Sequence, residues 1–340
     1  MWTELLSGPI WIQTAAMLVM TLACGAVGLP LLKHLGVGQT VRDDGPRTHF
    51  VKSGTPTFGG FFFLIPLTIV LLADGLIRGF SSPAMALLLL VLAFAFSGFL
   101  DDYIKVRISK KGLSVRQKTA LLLSFSVLFT IYYLYLMPVE PFLVLPWVDH
   151  AIQMTDWWKL PYGVFVVIYL FFITNSVNLT DGVDALSSSV TVACTLALAV
   201  AGLILSGSGI ELSLIQPGVT MSLLIAAGCL GFLAFNIHPA RVFMGDTGSQ
   251  ALGAGVAGIA LYYGAPWLLA FLGFIYVVES LSVVIQVTYF KRTGGKRIFR
   301  MSPIHHHFEL GGWKENKIVL VFTAVNVLGS LIGLLLLLTV

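Results

Sequence analysis

A chain of 340 residues that is 57% hydrophobic and 11% charged excludes an ordinary soluble domain, in which about 25% of residues carry charge. Its apolar residues come in blocks long enough to cross a bilayer as helices, about 20 residues each, and the period-2 alternation of an outer-membrane barrel is missing. The net charge of +4 says little as a total; its distribution along the chain says more.

Ten apolar blocks are read in chain order, at roughly 10–32, 58–73, 84–100, 119–137, 161–177, 187–206, 218–235, 248–263, 266–289 and 317–339. The first follows MWTELLSGPIWI, which has no basic residue ahead of its apolar run, so it is expected to be retained as a span. The eighth is short and rich in Gly and Ala. It is expected inside the bundle, where small residues let helices approach closely. Cys24, Cys194 and Cys229 each lie within an apolar block, spaced for neither a disulfide framework nor a zinc site, and are assigned to packing. The expected fold is therefore all-α: one polytopic membrane domain over residues 1–340, with ten transmembrane helices.

The connections fall into two alternating sets. The set 33–57, 101–118, 178–186, 236–247 and 290–317 contains every one of the 20 Lys and Arg residues except Arg78 and Lys159. Positive charge stays in the cytoplasm, so this set is expected to be cytoplasmic and both termini outside. Topology and contact with anionic headgroups account for most of Lys110, Lys111, Arg116, Lys291, Arg292, Lys296, Arg297 and Arg300.

That rule does not account for the polar clusters in the same loops. They read VRDDGPRTHFVKSGTPTFGG (41–60), FLDDYIKV (99–106), NSVNLTDGVDALSSS (175–189), FNIHPARVFMGDTGSQ (235–250) and SPIHHHFELGGWKENK (302–317). Five loops on one rim point to a single site at the cytoplasmic membrane surface. Asp101 and Asp102 stand at the expected end of the third span, where negative charge opposes the helix dipole. A divalent cation would compensate them; an i,i+4 pair of Asp101 with Lys105 is the plainer alternative. Asp181 and Asp246 are either site carboxylates or turn residues beside Gly182 and Gly245. The glycine-bearing stretches could offer backbone N–H groups to phosphate, although none has the spacing of a P-loop. Adjacent His305, His306 and His307 do not have zincin spacing; phosphate contact or proton transfer suits them, against the reading of a solvated basic loop. Glu279 lies mid-span, as a functional group or as a hydrogen-bonded packing residue. This set suits Mg²⁺-assisted phosphoryl transfer between a soluble diphosphate and a lipid.

In order through all five loops, VRDDGP…GTPTFGG, GFLDDYIK, NSVNLTDGVDAL, NIHPARVFMGDTGS and MSPIHHHFELGGWKE resemble the phospho-N-acetylmuramoyl-pentapeptide transferase family. That family belongs to the polyprenyl-phosphate N-acetylhexosamine-1-phosphate transferase superfamily. The resemblance implies transfer of phospho-N-acetylmuramoyl-pentapeptide from UDP to undecaprenyl phosphate, giving lipid I and UMP in peptidoglycan synthesis. It implies Mg²⁺ on Asp246. Asp101 is similar to the residue that deprotonates or positions the lipid phosphate, with Asp102 in the same catalytic pair and Lys105 meeting phosphate. Asn236 and His305 would line the cleft, with His306 and His307 close by. Phe243 would stack on uracil, Asp184 would hydrogen-bond its edge, and Asp181 and Asn178 would lie near the sugar. The expected setting is a bacterial inner membrane with the site facing the cytoplasm. A homodimer is left open and no nucleic-acid partner is expected.

Two positions depart from the family pattern. Ala185 stands where the family commonly has Gly, which bears on the turn beside Asp184, and Phe58 stands where Met is usual. A phosphomonoester has a second pKa near 6, so deprotonation by Asp101 offers little and orientation is its competing role. A two-step route would instead make a carboxylate the nucleophile. A sibling UDP-N-acetylglucosamine transferase is the alternative enzyme, which the HHHFE segment disfavours. A transporter would show a repeat and several midplane charges; only Glu279 lies there.

Overall fold

In a computed structural model of the chain, residues 8–38, 54–80, 82–137, 140–148, 150–207, 210 and 212–340 are described. The stretch VRDDGPRTHFVKS (41–53), part of the first polar cluster, lies outside them.

Apolar surroundings leave a backbone no partner but itself, so each apolar block winds into a helix. In chain order these are α1 (Gly8–His34), α2 (Phe61–Arg78), α3 (Ser82–Arg107), α4 (Val115–Ile131), α5 (Lys159–Thr180), α6 (Leu186–Gly207), α7 (Leu212–Asn236), α8 (Gly245–Tyr262), α9 (Leu269–Leu272), α10 (Phe274–Arg292), α11 (Ile304–Glu309) and α12 (Glu315–Leu337). Among the described residues, eight helices are long and apolar enough to cross a membrane, and Phe61–Ile77 is a shorter apolar helix. The protein is thus a mostly helical, polytopic membrane protein. All ten expected blocks carry helix, but two differ from a simple span.

The first is α8. Every residue from Thr247 to Tyr262 is buried, wrapped by α3, α5 and α7. Its sequence GDTGSQALGAGVAGIALY has few bulky side chains until its last turns, so neighbouring helices come close to its backbone. The second is the expected block 266–289, which is broken at Gly273 between α9 and α10. The free backbone groups at the break are met from α12. Asn326 Nδ2 donates to the Leu272 carbonyl at 2.8 Å and its Oδ1 accepts from Ile275 N at 3.2 Å.

Several hydroxyls inside the bundle are satisfied locally: Thr174, Thr180 and Thr191 each donate to the carbonyl four residues earlier, at 2.7–2.8 Å. At the end of α4 remote from Ser114, β1 (Phe142–Leu143) pairs with antiparallel β2 (Ile152–Gln153), each only two residues long. Trp147, Trp157 and Trp158 are exposed near it, the placement of an interfacial aromatic belt.

Candidate functional site

The helix α3 does not stop at Leu100. It runs on to Arg107, so Asp101 and Asp102 lie within its last two turns. Successive residues on a helix point about 100° apart, and the two carboxylates have different partners. Asp102 faces the N-terminus of α8, which presents unpaired N–H groups and the positive end of a helix dipole. Asp246 N donates to its Oδ1 at 3.1 Å; Thr247 N and Thr247 Oγ1 donate to its Oδ2 at 2.8 and 2.7 Å. Two glycines allow the approach. A side chain at Gly98 would strike the Asp246 carbonyl, and one at Gly245 (φ +73°) would strike Asp102 Oδ2.

Asp101 faces the other way. Leu113 N donates to its Oδ1 at 2.6 Å. Lys105 Nζ lies 2.8 Å from its Oδ2, so the i,i+4 pair exists, but the same ammonium also reaches Asp246 Oδ2 at 3.0 Å. Lys118 Nζ is 2.6 Å from Asp246 Oδ2 and 3.5 Å from Asp101 Oδ2. Asn178 Nδ2 completes the cluster, donating to Asp246 Oδ1 at 2.9 Å and to Ser249 Oγ at 2.8 Å. Burial alone would raise the Asp246 pKa, but the Lys105 and Lys118 ammoniums hold its carboxyl well below the usual range.

Lys118 was not singled out in the sequence, where it merges with the loop bases that set topology. A signal was present. Ser114 and Gln117 form a capping box that starts α4 at Val115 and puts Lys118 in its first turn, the unfavourable end of the dipole for a cation. The local mismatch at Lys118 mirrors the one at Asp101, and the two mismatches offset each other across the site.

A second cluster forms beside the first. Asp184 Oδ2 stands 2.8 Å from His238 Nδ1 and accepts from Ala240 N at 3.0 Å. Asp184 N donates to Glu315 Oε2 at 3.1 Å. Ligand atoms of Asp184, His238 and Glu315 all lie within 4.8 Å of one another, close enough for a metal ion. Mg²⁺ prefers oxygen ligands in an octahedron; this set contains an imidazole, and the close His238–Asp184 contact is that of a hydrogen-bonded clasp. The carboxylates around Asp246 are the oxygen donors that suit Mg²⁺, beside two lysines suited to phosphate.

The turn between these clusters is held by Asn236. Its Oδ1 accepts from Ala185 N at 3.0 Å and its Nδ2 donates to the Val242 carbonyl at 2.9 Å. Asn236 is buried and acts on the loop backbone. Ala185 has φ +67°, the left-handed region where glycine is at ease, so the departure noted in the sequence falls on a position that favours glycine. Asp181 ends α5, its N–H donating to the Asn178 carbonyl at 3.3 Å. Phe243 is half-buried, and its backbone pairs with the TPTFGG stretch through Pro56 O at 2.8 Å and Gly59 N at 2.8 Å.

The three histidines diverge on the short helix α11. His305 is fully buried, with Nδ1 3.1 Å from Glu279 Oε1 on α10. His306 Nδ1 lies 3.1 Å from Glu309 Oε2. His307 Nδ1 accepts from Arg300 N at 3.1 Å. The structure therefore gathers Asp101, Lys105, Lys118, Asn178 and Asp246 into one network and sets Asp102 behind it as the anchor of α8. His305 abuts Gly182 and so joins the loop of Asp181 and Asp184 from below. His306 pairs with Glu309 on the same short helix, and His307 with the backbone of Arg300 just before it.

Residues 84–264 match the family described as glycosyl transferase family 4. A phospho-N-acetylmuramoyl-pentapeptide-transferase of Acetivibrio thermocellus is 45% identical over 314 residues, 92% of this chain and 91% of the relative. Relatives of the same name from Moorella thermoacetica and Pelotomaculum thermopropionicum are 43% and 40% identical, over 94% and 96% of this chain and 96% and 98% of theirs. The similarity spans all the clusters described above, so the chain belongs to the phospho-N-acetylmuramoyl-pentapeptide transferase family.

Proposed function

We propose that this chain moves phospho-N-acetylmuramoyl-pentapeptide from its UDP-linked donor to undecaprenyl phosphate, releasing UMP and forming lipid I for peptidoglycan. The observation that carries the reading is Asp246 with two ammoniums on one oxygen, Lys118 at 2.6 Å and Lys105 at 3.0 Å. Two fixed cations beside a carboxylate suit a diphosphate whose charge must be neutralised as it is cleaved. The names of the relatives supply the sugar and peptide.

In this reaction an oxygen of the lipid phosphate attacks the phosphorus attached to the sugar. The bond from that phosphorus to the bridging oxygen breaks, and UMP leaves. Lys105 and Lys118 stabilise the charge that develops on the phosphoryl oxygens. Asp101 orients the acceptor phosphate, since its Oδ1 is tied to Leu113 N and only Oδ2 is directed at the lysines. The second pKa of a phosphomonoester is near 6, so much of the acceptor is already dianionic at neutral pH and needs no strong base. Asp246, with Asp101 beside it, would hold a Mg²⁺, which would supply charge neutralisation at the diphosphate. Asp184 would read the nucleobase edge, Phe243 would stack on it, and Asn178 and Asp181 would meet the donor near its sugar. The bias of basic residues to one set of loops supports a site facing the cytoplasm from a bacterial inner membrane.

The test is UMP release by the purified protein from UDP-muramoyl-pentapeptide and undecaprenyl phosphate. Activity should require Mg²⁺, and Asp246→Ala should nearly abolish it. Full activity in EDTA, or in Asp246→Ala, would remove Asp246 from the metal role.

A further inference from the structure

Glu279 is a buried carboxylate within α10, with its side chain 0% exposed. About 20 Å of helix separates it from the basic end at Arg292. A carboxylate so placed is costly without a partner and marks a function when it has one. Its partner is His305, whose side chain is 1% exposed. The imidazole Nδ1 lies 3.1 Å from Glu279 Oε1, and the His305 backbone N–H lies 3.5 Å from Oε2. The carboxylate thus faces both the ring and the backbone of one residue.

The opposite edge of the ring faces the loop 178–186. A side chain at Gly182 would strike Nε2, and its first carbon would lie 2.7 Å from Cε1. The missing side chain of Gly182 is the space that the imidazole fills. The Nδ1–Oε1 approach has ion-pair distance without aligned hydrogen-bond geometry, and His305 Nε2 has no hydrogen-bond partner among the described residues. Hydrogen bonds used in catalysis are often poorly aligned in the free enzyme and tighten in the complex.

We propose that Glu279 is a positioning residue for His305, taking the Nδ1 side of the imidazole and aiming Nε2 at the loop that carries Asp181 and Asp184. The group on one ring nitrogen decides which tautomer the other presents. With a carboxylate at Nδ1, that nitrogen carries the proton. The pair couples the interior of α10 to the donor side of the site, through a helix that is only six residues long. The role assigned to His305 in turnover rests on the phosphotransfer reading above; the pairing itself does not.

Two readouts separate these claims. In steady-state UMP release, Glu279→Leu should lower kcat about 10- to 100-fold, as when a group orienting a histidine is removed, with KM for either substrate changed less than about 3-fold. Glu279→Gln keeps an oxygen that can accept from Nδ1–H and should retain most of kcat. The double variant Glu279→Leu/His305→Ala should be no slower than His305→Ala alone, because residues acting as a unit are not additive. A leucine variant of wild-type kcat, a glutamine variant as slow as leucine, or multiplying losses in the double variant would overturn the proposal.

In ¹⁵N spectra of histidine-labelled full-length protein, the His305 resonances are those missing in His305→Ala. They should show a proton on Nδ1 that moves to Nε2 in Glu279→Leu. Should the leucine variant fail to fold, the Nδ1 resonance should still shift in Glu279→Gln as a neutral amide replaces the carboxylate. An unmoved resonance would overturn the contact. A wild-type protein that releases no UMP would sink the phosphotransfer reading, while the spectra would still decide the pairing.

Discussion

Asp102 and Thr247 are joined by two hydrogen bonds to one oxygen, from Thr247 N at 2.8 Å and Thr247 Oγ1 at 2.7 Å. The neighbouring Asp101 shares none of these donors and lies against Lys105 instead. Adjacent carboxylates that look like one electrostatic fault in the sequence are therefore two devices. One anchors the N-terminus of α8, on which Asp246 sits; the other faces the lysines beside Asp246.

This division predicts different failures for the two aspartates. Asp102→Ala leaves the buried donors of Asp246, Thr247 N and Thr247 Oγ1 without their acceptor. A hydrogen bond to a charged group contributes about 1.5–3 kcal/mol, so a loss of about 3 kcal/mol in stability is expected, visible as a lower Tm in detergent. Asp101→Ala should remove activity with a smaller fall in Tm. Equal thermal shifts in the two variants would contradict the division.

Lys118 should prove as necessary as Lys105. It makes the shorter contact to Asp246, 2.6 Å against 3.0 Å, and it is carried by a different helix. Loss of one preorganised charge donor costs roughly 100-fold or more in kcat. Lys118→Met should show such a fall in UMP release with the fold intact. A variant within threefold of wild type would place Lys118 outside the reaction.

Much of this arrangement is legible in the sequence, for physical reasons that also mark where legibility ends. Hydrophobic blocks give the helices because a bilayer permits little else. The break at Gly273 is hidden, because residues 266–278 are uniformly apolar and the group that makes the break tolerable, Asn326, comes from another helix. The polar loops announce a shared site, but not which way each side chain points. By spacing alone His305 is one of three adjacent histidines, distinguished only by the family resemblance, and it is buried on Glu279 while His307 accepts from Arg300. Asn236 reads as a cleft residue, yet both of its amide bonds go to the backbone of the site loops. Lys118 is masked by the same charge bias that orients the chain. For Gly273, His305 and Lys118 the deciding partner is remote in sequence.

Ala185→Gly should stabilise the protein. Alanine at φ +67° carries a left-handed penalty of about 1–2 kcal/mol, while glycine costs about 0.5–1 kcal/mol in backbone freedom. A net gain of about 0.5–1 kcal/mol follows, and Tm should rise by roughly 2 °C. The Asn236 bond to Ala185 N uses only the backbone, so it survives the substitution and activity should be unchanged. Ala185→Val should lower Tm, since a branched side chain is worse in this region. A glycine variant less stable than wild type would mean that packing of the buried alanine methyl outweighs the backbone strain.

One substitution separates a clasp from a metal site at Asp184, His238 and Glu315. In a clasp, His238 Nδ1 at 2.8 Å and Ala240 N at 3.0 Å hold one Asp184 oxygen and so fix the orientation of the carboxylate. Removing one hydrogen bond to a carboxylate costs about 1.5 kcal/mol, or about tenfold in affinity. His238→Phe should therefore raise KM for the UDP-linked donor about tenfold, leave kcat and KM for the lipid acceptor near wild type, and leave the Mg²⁺ concentration giving half-maximal activity unmoved. If the three side chains instead held the required ion, the same substitution would raise that Mg²⁺ concentration and lower kcat at saturating donor. The donor set favours the clasp. An imidazole between two carboxylates is a poor match to the oxygen octahedron of Mg²⁺, whereas it serves well to fix the orientation of a carboxylate proposed to read a nucleobase edge.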